Sequence, residues 1–299
     1  MIVRPKQHWL QLIFVWHGSV LPKIYTRLLL NFLLSIAVIL MLPWYTSLGI
    51  KFTVAPFSIL GVAIAIFLAC YSRYVEARLL WGQLMIAARS LFREVKNTLP
   101  DDKHLGEFVR LQIAFANCLR MTLRRELNAE QLSRYLSPDD LRQVMNASAP
   151  ANRILLIMGE WLAVRRRNGQ LSDILFHSLN NRLNDMSIVL SGCERIATTP
   201  VPFAYTLILH RTVYLFCIML PFALVVDLHY MTPFVSALIS YTFISLDTLA
   251  EELEDPFGTE DNDLPLDAIC NMMERDLLQM NDEENIPERL VPDKHYRLT

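Results

Sequence analysis

Glycine is scarce in this chain: nine occur in 299 residues. No GxGxxG and no Walker-type loop can be assembled from them, which removes the usual phosphate-cradling turns. HExxH, CxxC and GxSxG are absent as well, so zinc-peptidase, thiol-redox and serine-hydrolase chemistry have no support in the sequence. The five cysteines (Cys70, Cys118, Cys193, Cys217, Cys270) are odd in number and scattered, and read as buried reduced thiols that pack as small hydrophobes. Carboxylates are missing from the first 75 residues; the earliest is Glu76. A net charge of −2 argues for no particular partner, and nucleic acid is not expected without a basic face. His177 and Asn180-Asn181 share a predicted helix, but no nucleophile lies near them in sequence, and they read as core or capping groups. No enzyme is indicated.

What is plentiful is apolar surface. Hydrophobic residues make up 53% of the chain and its mean hydropathy is +0.28, while charged residues still reach 19%. That mixture predicts an all-α integral membrane protein in which membrane helices are joined to a large aqueous helical region. The central stretch is the uncharged run Val54 to Cys70, close to the ~20 residues a helix needs to cross a bilayer. Small residues (Gly61, Ala63, Ala65, Ala69) alternate there with bulky ones, and Ile59, Val62, Ile66 and Cys70 recur on one helical stripe. Such a stripe can face lipid, a neighbouring helix or a pore, and the segment alone leaves all three open.

In chain order, residues 1–27 form a basic, aromatic arm carrying Arg4, Lys6, Lys23 and Arg27, suited to a membrane surface or to an ordinary packed helix. Residues 28–70 hold two spans, the first from about Leu28 to Trp44. Arg73, Arg78 and Arg89 follow the second span and only Lys51 separates the two, so the positive-inside rule puts both ends of this hairpin in the cytoplasm. No removable signal peptide is expected. Residues 71–199 read as cytosolic helices with no period-two pattern. The first continues out of the second span and is broken at Pro100. Later ones are punctuated by Ser137-Pro138, Ser148-Ala149-Pro150, Asn168-Gly169 and Ser172. Residues 200–249 give a third span, about Phe203 to Val226, and a fourth, Met231 to about Leu249, making four per subunit. His210 and Arg211 lie in the third, facing protein and water or snorkelling to the interface, and Pro221 predicts a kink. Residues 250–299 contain the densest acidic block, a helix from about Leu266 to Met280 and a polar tail. Closely spaced carboxylates suit a divalent cation, but the EF-hand spacing is lacking and a solvated charge run is the plainer reading.

Four stretches together resemble the bestrophin family. Asp255-Pro256-Phe257-Gly258, with acids following a last span, is similar to that family's Asn-Pro-Phe-Gly acidic motif. Trp16-His17-Gly18-Ser19 resembles its Trp-Arg-Gly-Ser element. Ser172-Asp173-Ile174-Leu175 with Leu179-Asn180 resembles its cytosolic constriction, and Pro200 to Tyr205 its approach to the third span. The resemblance covers nearly the whole chain and identifies a bacterial homologue. It implies a homopentameric, multi-pass channel of the bacterial inner membrane, both termini cytoplasmic, with one pore on the five-fold axis. By position, Val62 and Ile66 match its apolar neck and Ile174 its cytosolic aperture. Animal bestrophins pass chloride and prokaryotic relatives are associated with cations, so sodium and potassium are the ions implied here, with chloride as the alternative. A membrane-anchored scaffold and a secondary transporter are the readings from other classes; the transporter lacks paired broken spans in two related halves. No cofactor is required. The animal channels' calcium clasp would fall on Glu252, Asp255, Glu260 and Asp263, but Asp255 stands where asparagine is usual, and Thr259 and Asn262 replace acids. The family's Phe-Arg-x-Asn-like segment before Tyr71-Ser72-Arg73 is also missing, since Leu68-Ala69-Cys70 runs directly into Tyr71.

Overall fold

The computed structural model describes residues 1–3, 15, 18–47, 56–99 and 103–299, with the side chains of 45, 46, 56–60, 62, 63 and 66 outside the description. The expected break at Pro100 and the Trp16-His17 pair lie outside the described residues. The described elements are α1 (Leu21–Leu40), α2 (Leu42–Ser47), α3 (Pro56–Thr98), α4 (Leu105–Leu123), α5 (Ala129–Leu132) and α6 (Pro138–Met145). They continue with α7 (Pro150–Arg167), α8 (Asp173–Thr198), α9 (Phe203–Leu228), a 3-10 turn (His229–Met231), α10 (Thr232–Glu254) and α11 (Leu266–Met280). Among the described residues the only extended pairing is an isolated antiparallel bridge, Ile2 to Arg297. The all-α expectation therefore holds.

The chain divides into two compact units. One comprises residues 4–74 and 200–255. Here α1, α9 and α10 pack on one another around Ile24, Val213, Phe216, Leu220, Phe243 and Ile244. Phe216 and Phe243 meet at 4.8 Å between ring centroids. By length and composition, α1 and the stretch Phe203–Glu254 are apolar enough to cross a membrane. The first span differs from its expected bounds. It begins at Leu21, with Pro22 in its first turn, and ends at Leu40 rather than Trp44. Pro43 explains the early stop, because it has no N–H to give Ile39. The chain closes at Met41, whose N–H reaches Ala37 O, and restarts as α2. Helix α9 runs unbroken through Pro221. Helix α10 extends five residues beyond the expected end of the fourth span.

The other unit comprises residues 1–3, 75–199 and 256–299. Its centre is α4, whose buried side chains (Phe108, Ile113, Phe115, Leu119 and others) point to several faces of the helix. Helices α7, α8 and α11 pack around it, and the Phe108 and Trp161 rings meet at a tilt, 4.6 Å between centroids. The part of α3 from Val75 onward lies along α8 and α11. At Gly192 a β-carbon would stand 2.8 Å from Leu80, so glycine is what allows that approach. Arg120 and Arg124 both pair with Asp267, tying α4 and its end to α11.

Candidate functional site

Ile174, expected at the aperture, occupies the second position of α8. The helix starts where it does because Ser172 is extended and its Oγ accepts the Leu175 N–H at 3.3 Å. Just before it, Gly169 takes φ +73°, a conformation other residues reach only under strain, and turns the chain out of α7. Arg166 closes this corner. Its Nε donates to Asp173 at 2.8 Å and its guanidinium lies 5.0 Å from the Phe176 ring. Arg165, by contrast, is buried against Trp161 at 3.5 Å. On this braced platform the Ile174 side chain is 82% exposed. A branched hydrocarbon left so open offers no hydrogen bond to a hydrated ion, while the adjacent carboxylate, Asp173, is paired with Arg166.

Val62 and Ile66, expected at the neck, belong to α3, and their side chains lie outside the described residues. Nearby on the helix, Gly61, Ile64, Ala65, Leu68 and Ala69 are exposed, whereas Cys70 is buried with Ala250 and Leu253. Position 69 falls seven residues after 62 and three after 66, so by helical spacing it shares their face. One turn below Ile66 that stripe is therefore open on the Ala69 side and covered on the Cys70 side.

Of the acidic residues, Glu252 and Asp263 have partners within their own units. Glu252 pairs with Lys23 at 2.8 Å. Asp263 is buried and accepts the Glu260 N–H at 2.6 Å, closing the loop that follows the buried Phe257. Asp255 is exposed at the end of α10. Among the described residues no three His, Cys, Asp or Glu side chains come together to hold a metal ion. The same loop receives both chain ends: Ile2 N–H donates to Asp261 O at 2.9 Å, and Arg297 pairs with Asp261 and donates to Thr259 O.

One pair escaped the sequence reading. His210 Nδ1 and Asp247 Oδ2 stand 2.9 Å apart between α9 and α10, with Asp247 buried. Its signal was a lone carboxylate in an apolar run, which needs a partner to sit there.

The family model described as "Bacterial/Fungal Bestrophin protein" matches residues 1–279. The voltage-dependent anion channel-forming protein YneE of Escherichia coli strain K12 is 78% identical over 304 positions, with both chains covered completely. The voltage-dependent anion channel-forming protein RSc3414 of Ralstonia nicotianae is 39% identical, covering 93% of this chain and 94% of its own. Among solved structures, a bacterial bestrophin homologue from Klebsiella pneumoniae is similar with a TM-score of 0.82 and 55% identity, covering 88% of this chain and all of that one. The E. coli alignment is longer than the 299 residues here, so about five of its positions have no counterpart in this chain.

Proposed function

This chain belongs to the bacterial and fungal bestrophin family, and from that premise we propose that five copies close around one axis to form a passive channel for small monovalent ions. Membrane location and the ion-channel class rest on the whole-chain match to relatives named channel-forming. The reading needs no cofactor, gives divalent cations no part in permeation, and takes lipid, ions and further copies of the chain as its partners. In it both termini lie on the cytoplasmic side of the inner membrane.

The observation that carries the permeation path is Ile174, an isoleucine 82% exposed at the start of a capped helix whose corner is held by Arg166 and Asp173. Five such side chains around an axis make an apolar constriction that gates by dewetting. Val62 and Ile66 are assigned to a second constriction by their position on α3. Single-channel recording of Ile174→Ala tests the aperture. Smaller side chains should raise conductance or change selectivity, and an unchanged current–voltage relation rejects the assignment.

The sign of the ion is the finer question. The relatives' name specifies anions, whereas Asp173 beside Ile174 favours sodium and potassium. Because Arg166 neutralises that carboxylate, the name carries more weight, and chloride is the ion to test first. Reversal potentials in a potassium chloride gradient decide it, since the two readings predict opposite signs.

A further inference from the structure

The geometry points to a binding site for one anionic phospholipid, lodged between α1 and α9 with its headgroup at Arg27 and an acyl chain running inward. A cavity of about 200 Å³ lies there. Its walls along α1 and α9 are Leu30, Leu34 and Ile218, and Ile244 of α10 closes it. At ~1.5 Å per residue, the step from Arg27 to Leu34 is about 10 Å along the helix, which gives the space the length of a chain segment rather than of a compact solute.

Its two ends differ in chemistry. The inner end offers no polar group although Asn31 lines it. The Asn31 amide donates to Cys217 O at 2.6 Å, and its oxygen accepts from Ser236 at 2.7 Å. At the outer end, the Arg27 guanidinium stands 5.4 Å from the Tyr214 ring centre, and among the described residues no carboxylate pairs with it. Asp247, on the packed α10, is taken by His210 at 2.9 Å. The Tyr214 hydroxyl is buried and has no hydrogen-bond partner among the described residues, which is costly unless a ligand supplies one. A guanidinium at one end of an apolar slot, beside a tyrosine whose buried hydroxyl lacks a partner, is complementary to a phosphate joined to hydrocarbon. Lys23, one turn earlier on α1, is paired with Glu252 at 2.8 Å, so the charge offered to a headgroup at this end is that of Arg27.

The inference rests on reading α1, α9 and α10 as membrane helices, but not on conduction. It is tested by native mass spectrometry of the purified full-length assembly, titrated with phosphatidylglycerol and with phosphatidylcholine of the same chains. The wild type should retain phosphatidylglycerol preferentially. Arg27→Gln should lower that retention by about tenfold, the size of a lost charge-assisted hydrogen bond, while sparing phosphatidylcholine. Arg27→Lys should keep part of the preference, and Ile218→Trp, which fills the slot, should lower retention of both lipids. Equal phosphatidylglycerol retention by wild type, Arg27→Gln and Ile218→Trp overturns the site. So does a wild-type assembly that retains no lipid because a second copy covers the slot. Should Arg27→Gln fail to assemble, the lysine and tryptophan variants decide. Lipid retention without ion flux sinks the channel reading and leaves this site standing.

Discussion

At the scale of single residues, the unit built on α4 is tied together at Asp267. Two arginines converge on it, Arg124 at 2.8 Å and Arg120, and both guanidinium groups are largely buried. Burial, and then the neighbouring Arg120, holds Arg124 below the ordinary arginine range. Asp267→Ala strands two cations and should destabilise this unit by about 3 kcal/mol, seen as a lower denaturation midpoint. Glu274 behaves differently. Burial raises its pKa from the ordinary 4.5, and it accepts a hydrogen bond from the Tyr135 hydroxyl at 3.0 Å. Its contribution to stability is full below pH 4.5 and is lost as pH rises through the folded-state value. Glu274→Gln keeps an acceptor and abolishes the charge. Its melting temperature should overtake wild type progressively as pH rises through that window, and a pH-independent difference counts against the assignment.

At the scale of elements, α8 shows how a cap serves a site. The Ser172 hydroxyl satisfies the Leu175 N–H, so the turn carrying Ile174 is helical from its first residue. Ser172→Ala should cost about 1 kcal/mol and speed hydrogen exchange at Leu175 more than deep in the helix. The helices also seal their thiols. All five cysteines are free and buried, and burial pushes Cys118, Cys193 and Cys270 up to about 12. A thiolate-selective reagent should find close to none in the native protein and five after denaturation; fast labelling of the folded protein contradicts this burial. Helix boundaries were largely legible, because Ser137, Ser172 and Gly169 act through a hydrogen bond or a φ angle within a few residues of themselves. The start of α1 was not. Lys23 and Arg27 looked like the end of a surface arm, yet long basic side chains sit in a helix's first turns without hindering it.

At the scale of the whole molecule, the proposal requires assembly. Light scattering with detergent correction should give five copies per particle, and a monomer removes the axis on which Ile174 and the neck depend. Proteoliposomes should show flux down a single ion gradient. Coupled uptake would instead identify a transporter, and absence of flux a scaffold.

Sequence by itself determined the helical class, the apolar stretches suited to a bilayer, most caps and the family, because these depend on composition, local spacing and the order of short motifs. Tertiary structure alone decided which polar groups meet. His210 with Asp247, Arg166 with Asp173, Arg124 with Asp267, and the two chain ends on the loop around Asp261 are pairings across helices or turns. It also decided that Asp263 caps a backbone N–H and that Glu252 holds Lys23. Hydrophobic periodicity says which face of a helix is buried, but the partner of a buried charge is chosen by packing, over distances that no local pattern records.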